Sequence, residues 1–286
     1  MEQKKLYVRQ SGVPDNHVDA TFMQRLEKNV HVTVYHRREL ILGACHVHQH
    51  WSSMILFLVL FAHQYNGRWS ATYLHMLNNA LLGTIYLFWM FHVRLGKLNP
   101  KTRNAKKQVA KAAILLIMTI LGLSPVLRTL TEDISTDTIC TLTGLLVCIN
   151  LMYHNYGEER EAAPNPVALN AAVFASVMLA SRLDSKAQVF GLVSLAIIWF
   201  SLFPIARCFI NQRWNPQGVV ALTLFLSVLT GAGLYQVHQL LLYSYFALSV
   251  FLLVVCPLWY FHLQKYKNNI HGPWDEAKVD VSKVKI

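Results

Sequence analysis

Three histidines at alternating positions, His46, His48 and His50, form the densest group of reactive side chains in the sequence. On a helix, His46 and His50 lie four residues apart on one face, where two imidazoles could bind a metal ion. No carboxylate pair accompanies them at ligand spacing, and the other histidines are scattered. We therefore predict a cluster at a membrane interface, with metal binding as the less favoured alternative. We expect no metal and no cofactor.

A charged and capped segment surrounds Arg128 near one end of an apolar stretch. Charge within such a stretch is costly and often functional, and Pro125 is expected to kink the helix that carries it. Glu132 lies four residues after Arg128, so the two side chains can pair on one helix face. Ser135 and Asp137 belong to a predicted cap of the next helix. A lipid phosphate or an inositol could bind here, and a structural salt bridge explains the same residues.

Amides within apolar stretches are expected to form hydrogen bonds between helices. Asn170 is the strongly polar residue of one stretch, and Asn78 lies within another. Small side chains also recur every four positions around Asn170, which predicts close helix packing, within the bundle or against a partner subunit. These small residues are Ala168, Ala172, Ser176 and Ala180.

The C-terminal tail holds a further candidate contact at His271, Trp274 and Asp275. Gly272 is expected to end the preceding helix, and Pro273 suits the first position of a new one. Trp274 can insert into a groove or lie at the membrane interface. A docking motif and a helix stop with an interfacial anchor explain these residues about equally well.

The composition assigns these residues to a membrane protein. The 286-residue chain is 54% hydrophobic and 14% charged, whereas soluble domains are about 25% charged. Its net charge of +11 is confined to a few segments and does not form the basic face of a nucleic-acid-binding domain. The sequence lacks a P-loop, a dinucleotide-binding motif and a nucleophile elbow. We expect no nucleic-acid partner and assign no catalytic residue.

Eight apolar stretches could cross the ~30 Å hydrocarbon core as helices. If the N-terminus is cytoplasmic, most Lys and Arg residues fall in cytoplasmic segments; the exceptions are Arg68, Arg128, Arg182 and Lys186. We therefore predict an all-α polytopic membrane protein with about eight transmembrane helices and both termini in the cytoplasm. The predicted spans are residues 42–62, 71–92, 110–130, 138–153, 167–181, 187–206, 218–235 and 240–262.

Three regions follow from these spans. They are a cytoplasmic amphipathic segment at 1–39, a transmembrane bundle at 40–263 and a cytoplasmic tail at 264–286. Apolar residues of the first region recur at Val18, Phe22, Leu26 and Val30. This spacing predicts a helix that lies on the membrane surface or packs on the bundle or a partner.

A basic cytoplasmic linker at 94–111 interrupts the predicted bundle. It contains Lys101, Arg103, Lys106 and Lys107. Basic residues near a membrane surface attract anionic lipids by about 1 kcal/mol each, and they also determine topology. We therefore consider the linker either a site that gathers anionic lipid or a topology determinant only.

Four stretches of the sequence carry a family resemblance. They run from Pro14-Asp15-Asn16 to Asn29, from Ser124 to Ile139, from Phe174 to Leu183, and from Asn269 to Ala277. Together they resemble the C-type subunit of the phosphatidylinositol N-acetylglucosaminyltransferase complex, which begins glycosylphosphatidylinositol (GPI) anchor synthesis. One departure is Asn155-Tyr156-Gly157, where the family often has Asp-Tyr-Gly.

The resemblance implies a multi-pass subunit of an endoplasmic-reticulum complex that transfers N-acetylglucosamine from its UDP derivative to phosphatidylinositol. In that family, catalysis is assigned to a different subunit. The implied partners are therefore the catalytic glycosyltransferase subunit, other membrane subunits and phosphatidylinositol. A lipid or solute transporter or scramblase, and a lipid-processing enzyme, are the alternatives.

Overall fold

A computed structural model describes residues 24, 26–29, 32–94, 133–156, 165–213 and 216–272. The described part is mostly helical, as predicted. Every predicted span within these ranges coincides with a helix. The predicted third span, residues 110–130, lies outside them.

Nine α-helices are present in the described ranges. They are α1 (Arg37–Tyr65), α2 (Ala71–Arg94), α3 (Thr136–Tyr153), α4 (Pro166–Ala180), α5 (Lys186–Ile197), α6 (Phe203–Arg213), α7 (Gln217–Val237), α8 (Gln239–Val250) and α9 (Cys256–Leu263). A π-helical turn at Ile198–Leu202 joins α5 to α6, and a second at Phe251–Val255 joins α8 to α9. Each turn lies just before a proline, Pro204 or Pro257. Because proline has no backbone N–H, it interrupts the hydrogen-bond ladder at these points.

Four helical stretches among the described residues are long and apolar enough to cross a membrane. They are Thr136–Tyr153, Lys186–Arg207, Gln217–Val237 and Gln239–Tyr266. Helix α4 is apolar but shorter. Helices α1 and α2 coincide with the first two predicted spans but are not among these four. In α1, four histidines lower the hydropathy.

The chain divides into two compact units, and the larger one is Arg37–Pro257. Within it, α1 packs most extensively against α7, and α3 against α4. A Cβ atom added at Gly233 of α7 would lie 2.8 Å from Cγ1 of Val59 on α1, so glycine permits this close approach. Val59 belongs to a small apolar cluster with Leu234 and Tyr245, and the larger apolar core includes Phe57, Leu192 and Trp199.

The small residues of α4 are buried within this same unit. Ala168, Ala172, Ser176 and Ala180 are all less than 2% exposed. Helix α4 packs against α3 and α5, and side chains of this size allow close approach of the backbones. The prediction of packing within the bundle is therefore confirmed.

The other compact unit combines Met1–His36 with Leu258–Ile286. Two short strands, β1 (Glu27–Lys28) and β2 (Ile270–His271), pair in antiparallel orientation within it. The side-chain amide of Gln264 donates to the Tyr35 carbonyl and accepts from the Tyr35 backbone N–H. The two segments of this unit are thus joined by strand pairing and by a side chain that bonds to the backbone.

Asn29 and Asn269 extend the strand pairing by one position. The Asn29 N–H donates to the Asn269 carbonyl at 2.7 Å, and the Asn269 N–H donates to Asn29 Oδ1 at 2.9 Å. Asn29 has φ 59°, a left-handed conformation that asparagine tolerates better than most residues. The predicted amphipathic helix is wrong at 26–29, because this backbone pairs with a distant strand. Val18, Phe22 and Val30 lie outside the described residues.

Candidate functional site

Most of the contact residues predicted from the sequence lie outside the described ranges. These are Arg128, Glu132, Trp274, Asp275, Lys101, Arg103, Lys106 and Lys107. His271 pairs through its backbone in β2. Asp137 is exposed in the first turn of α3. Ser135 is the N-cap of that helix and accepts a hydrogen bond from the Thr138 N–H, as predicted.

The two predicted interhelical amides have different outcomes. Asn78 of α2 donates to the Gly191 carbonyl of α5 at 2.9 Å, so that prediction is confirmed. Asn170 is exposed on α4 and has no hydrogen-bond partner among the described residues. The predicted hydrogen bond of Asn170 is therefore not formed among the described residues, because the small side chains of α4 occupy its buried face, and it stays a prediction for a partner outside them.

His46, His48 and His50 of α1 do not contact one set of neighbours. His48 and His50 are 0% and 2% exposed, so both rings are packed inside the protein, and their position at a membrane interface stays a prediction. No group of three potential metal-ligating side chains occurs among the residues that the structure describes. Alternate positions on a helix lie about 200° apart, and the two buried rings accordingly contact different neighbours.

His48 belongs to a closed chain of hydrogen bonds with α8. Its Nε2 lies 2.9 Å from Oγ of Ser249, whose hydroxyl donates to the Tyr245 carbonyl at 2.7 Å. The Ser249 oxygen therefore accepts a hydrogen bond from His48 Nε2. The opposite nitrogen, Nδ1, lies 3.4 Å from Oγ of Ser52, which is 2.7 Å from the Tyr245 hydroxyl. The neutral tautomer protonated at Nε2 satisfies all of these contacts.

His50 belongs to a second polar group, the His50 cluster, which comprises His50, Asn150, His154, Tyr156 and Arg207. Nε2 of His50 lies 2.8 Å from Oδ1 of Asn150, and the Asn150 amide donates to the Ala168 carbonyl at 2.7 Å. Because a carbonyl only accepts, the Asn150 amide orientation is fixed and His50 Nε2 is the donor. One hydrogen-bond chain thus links α1, α3 and α4.

Arg207 extends the His50 cluster to α6. It is 5% exposed, and its Nη2 donates to Nε2 of His154 at 2.7 Å. The His154 ring stacks on the His50 ring with centroids 3.6 Å apart. The Tyr156 hydroxyl donates to the Leu151 carbonyl at 2.7 Å. The segment that follows α3 is therefore held against α1 and α6 by rings and directed hydrogen bonds.

Burial and the arginine charge keep His154 neutral. Burial, and secondarily the Arg207 guanidinium, lower the pKa of His154 to about 3. Burial raises the pKa of Tyr156 to about 12, against a smaller opposing effect of Arg207. A neutral imidazole can accept the Arg207 hydrogen bond. This arrangement positions a loop and supplies a fixed positive charge, while the His154 ring and the Tyr156 phenol remain uncharged at neutral pH.

Sequence reasoning missed the partners that complete these two groups. Asn150, His154 and Arg207 are isolated polar residues, separated from His50 by 100 or more positions. Tyr245 and Ser249 have no distinctive pattern around them. The one signal was Asn155-Tyr156-Gly157, where the sequence departs from the Asp-Tyr-Gly of the similar family.

The stretches that carry the family resemblance meet in pairs, each pair within one unit. Asn29 of the first stretch exchanges hydrogen bonds with Asn269 of the fourth. Arg182 of the third donates from Nη2 to the Ile134 carbonyl of the second at 2.7 Å. Segments far apart in the sequence thus form shared structural sites.

Comparisons with known proteins agree with the resemblance. The profile of the phosphatidylinositol N-acetylglucosaminyltransferase (GPI2) family matches residues 3–275. The GPI2 subunit of this transferase from Schizosaccharomyces pombe is 32% identical, covering 96% of this chain and 86% of its own length. A Dictyostelium discoideum protein, assigned as the C-type subunit, is 37% identical, covering 97% and 79%. The C-type subunit from Homo sapiens is 32% identical, covering 97% and 92%.

No solved structure matches the chain, so the assignment rests on sequence. The profile match extends over both compact units, and the relatives align along almost the full chain. Because the similarity is not confined to one motif or one segment, the chain belongs to the GPI2 family of phosphatidylinositol N-acetylglucosaminyltransferase subunits.

Proposed function

We propose that this chain is a non-catalytic membrane subunit of the complex that transfers N-acetylglucosamine from UDP-N-acetylglucosamine to phosphatidylinositol, the first step of GPI-anchor biosynthesis. The observation that carries the proposal is the family match over residues 3–275. The chain holds the catalytic subunit at the membrane and helps to position the lipid acceptor. Its location is the endoplasmic-reticulum membrane.

The buried polar residues support a structural role. Within the described ranges they are His, Gln, Ser, Asn, Thr and Arg, and none is Asp or Glu. Glycosyl transfer commonly uses carboxylates as acid, base or nucleophile. Many of the buried groups that are present bond to one another or to backbone carbonyls, as in the His50 cluster. This pattern favours a helix-joining function over bond making.

Contacts between helix ends support the proposed eight-span topology. Arg68 donates to the Gln236 carbonyl, and Arg182 donates to the Ile134 carbonyl. Both contacts join segments assigned to the lumenal side by the distribution of basic residues. Arg207 and His154, which also bond, both fall at cytoplasmic helix ends in that assignment. In this topology, α2 runs toward the cytoplasm and α3 starts at the lumenal side. The proposal therefore includes one membrane crossing between them, at the predicted third span.

Reconstitution tests the proposed division of labour. We expect the purified chain, incubated with UDP-N-acetylglucosamine and phosphatidylinositol vesicles, to form no glucosaminyl lipid. Adding the catalytic subunit and the remaining membrane subunits is expected to give activity, and omitting only this chain is expected to abolish it. Turnover by the isolated chain would contradict the non-catalytic role. Tag accessibility in sealed microsomes tests whether both termini are cytoplasmic.

A charge series tests the lipid-gathering part of the proposal. Replacing Lys101, Arg103, Lys106 and Lys107 with Gln is expected to raise the phosphatidylinositol concentration needed for half-maximal activity. Replacing the three lysines with Arg preserves the charge and serves as the matched control. If the Gln variant keeps normal activity and topology, the linker only sets orientation. Arg128, Glu132, Asp137, Asn170, His271, Trp274 and Asp275 remain proposed lipid or partner contacts.

A further inference from the structure

A polar cleft lies at the helix ends proposed to be lumenal, at the C-terminal end of α1, whereas His50 lies near the middle of that helix. Its volume is about 280 Å³, and it is lined by Gln64, Tyr65, Arg182, Leu183 and Asp184. Liquid water occupies about 30 Å³ per molecule, so the cleft can hold a polar group of several non-hydrogen atoms. All five lining residues belong to the unit Arg37–Pro257.

The walls of the cleft are the C-terminal ends of two helices. Helix α1 ends at Tyr65, where Gly67, with φ 65°, turns the chain and its N–H bonds to the Gln64 carbonyl. Helix α4 ends at Ala180, and the Arg182 and Leu183 N–H groups bond back to its last turn. Helix C-termini carry partial negative charge and favour a cation. Asp184 adds a full negative charge at the same place.

A positive charge lines the same cleft. Arg182 is anchored by its hydrogen bond to the Ile134 carbonyl at 2.7 Å, and a guanidinium fork binds phosphate oxygens well. Gln64 is 2% exposed, and its Oε1 has no hydrogen-bond partner among the described residues. The cleft therefore offers a phosphate-binding cation, a carboxylate and a buried amide. Arg182 and Asp184 also interact within the protein, so a ligand would join an existing network.

We propose that this cleft binds the head group of a zwitterionic phospholipid, with the phosphate at Arg182 and the ammonium at Asp184. The helix ends lie where a transmembrane bundle meets the head-group layer, which supplies such a ligand at high local concentration. Tyr65 is 52% exposed, and its ring can face the ammonium or lie among the lipid head groups. An anionic phospholipid matches only the Arg182 half of the site.

Lipid retention tests the proposal without an activity assay. The full complex is exchanged into nanodiscs containing equal parts of phosphatidylethanolamine, phosphatidylcholine and phosphatidylglycerol. It is then stripped in mild detergent, and the retained lipids are quantified by mass spectrometry. The wild-type chain is expected to retain zwitterionic lipid in preference to phosphatidylglycerol. Asp184→Asn is expected to lower that preference about threefold, the effect of a partly exposed charge contact.

The second variant and the controls separate the two halves of the site. Arg182→Gln is expected to lower retention of all three lipids. Lys186→Gln removes a positive charge outside the cleft, and Glu27→Gln removes a negative one. Neither control is expected to change lipid retention. If Arg182→Gln impairs folding, Asp184→Asn, at an exposed position, still decides the result. An unchanged preference in Asp184→Asn, or no retained lipid in the wild type, overturns the proposal. Equally tight binding of free phosphoethanolamine overturns the lipid assignment.

Discussion

The two faces of α1 present the same side chain to two different environments. His48 faces the hydroxyl groups of Tyr245 and Ser249 on α8, whereas His50 faces Asn150 and stacks on His154, which bonds to a buried arginine. The side chains of the first network are hydroxyls and one imidazole, all of them neutral and able both to donate and to accept hydrogen bonds. The second contains a permanent charge, Arg207, which can only donate.

This difference has a consequence for each network. The His48 network joins three hydroxyls, one imidazole and the Tyr245 carbonyl, so a lost member affects a few neutral hydrogen bonds. In the His50 cluster, a buried permanent charge on Arg207 depends on His154 as a neutral acceptor, so a lost or protonated partner leaves that charge unsatisfied. We therefore expect the His50 cluster to be more sensitive to substitution and to pH than the His48 network.

Asn150→Ala is expected to give the largest loss of stability. It leaves His50 Nε2 without its acceptor and removes the hydrogen bond to the Ala168 carbonyl, and unsatisfied buried groups cost about 1–3 kcal/mol each. We expect the free energy of unfolding to fall by about 3 kcal/mol, measured by denaturant unfolding of the full chain in detergent. Asn79→Ala, at an exposed position of α2, is the control. Equal losses in the two variants would contradict a special role for the cluster.

Acidification is expected to destabilise the protein through His154. Its pKa is about 3 in the folded chain and about 6.5 when unfolded, so between these values the unfolded state binds more protons. Stability is therefore fully present above pH 6.5 and falls below it, by up to about 1.4 kcal/mol per pH unit. Unfolding measured at pH 7, 6 and 5 checks this slope.

A substitution isolates that pH effect. His154→Gln keeps an acceptor for Arg207 and is expected to flatten the slope below pH 6.5. His262→Gln changes an exposed histidine of α9 and is expected to leave the slope as in the wild type. If both variants retain the full slope, the acid sensitivity arises elsewhere in the chain.

Ser249→Ala tests the His48 network, which we expect to be less sensitive to substitution. It removes the acceptor of His48 and the donor to the Tyr245 carbonyl, and interhelical hydrogen bonds in membrane proteins contribute about 0.6–1 kcal/mol. We expect a loss of about 1 kcal/mol in the same unfolding measurement. Ser244→Ala, at an exposed position of α8, is the control. If the free energy of unfolding falls as much as it does in Asn150→Ala, the expected difference in sensitivity between the two networks is contradicted.

Asn170→Leu is expected to have the smallest effect on the chain itself. Asn170 is exposed on α4, and surface substitutions usually change stability by less than about 0.5 kcal/mol. The informative measurement is co-purification, because loss of other subunits at unchanged stability would identify Asn170 as a partner contact. Unchanged co-purification would remove Asn170 from the proposed contacts.

Local features of the structure were predictable from the sequence. The helix positions follow from runs of apolar residues, and the Ser135 cap follows from a hydroxyl placed just before such a run. The burial of α4 follows from its repeat of small residues. Each of these signals lies within about 20 neighbouring residues, which is the range over which helix formation is decided.

The strand pair shows where local reasoning failed. Apolar spacing predicted a helix through Leu26, yet Glu27–Lys28 pair with Ile270–His271. A strand of two residues has no periodicity to detect, and its stability comes from a segment at the other end of the chain. The partners of His48 and His50 were not predicted for the same reason, because they lie far from these histidines in the sequence.

The sequence by itself determined that this is a helical membrane protein of one family, because hydrophobicity, charge distribution and motif order are properties of the linear chain. Only the tertiary structure decided what the histidines do. It separated two neighbouring rings onto opposite faces of α1, where His48 contacts hydroxyl groups and His50 contacts Asn150 and the ring of His154, which bonds to a buried arginine. A buried polar group must find a hydrogen-bond partner wherever packing brings one, and packing joins residues that the sequence holds far apart.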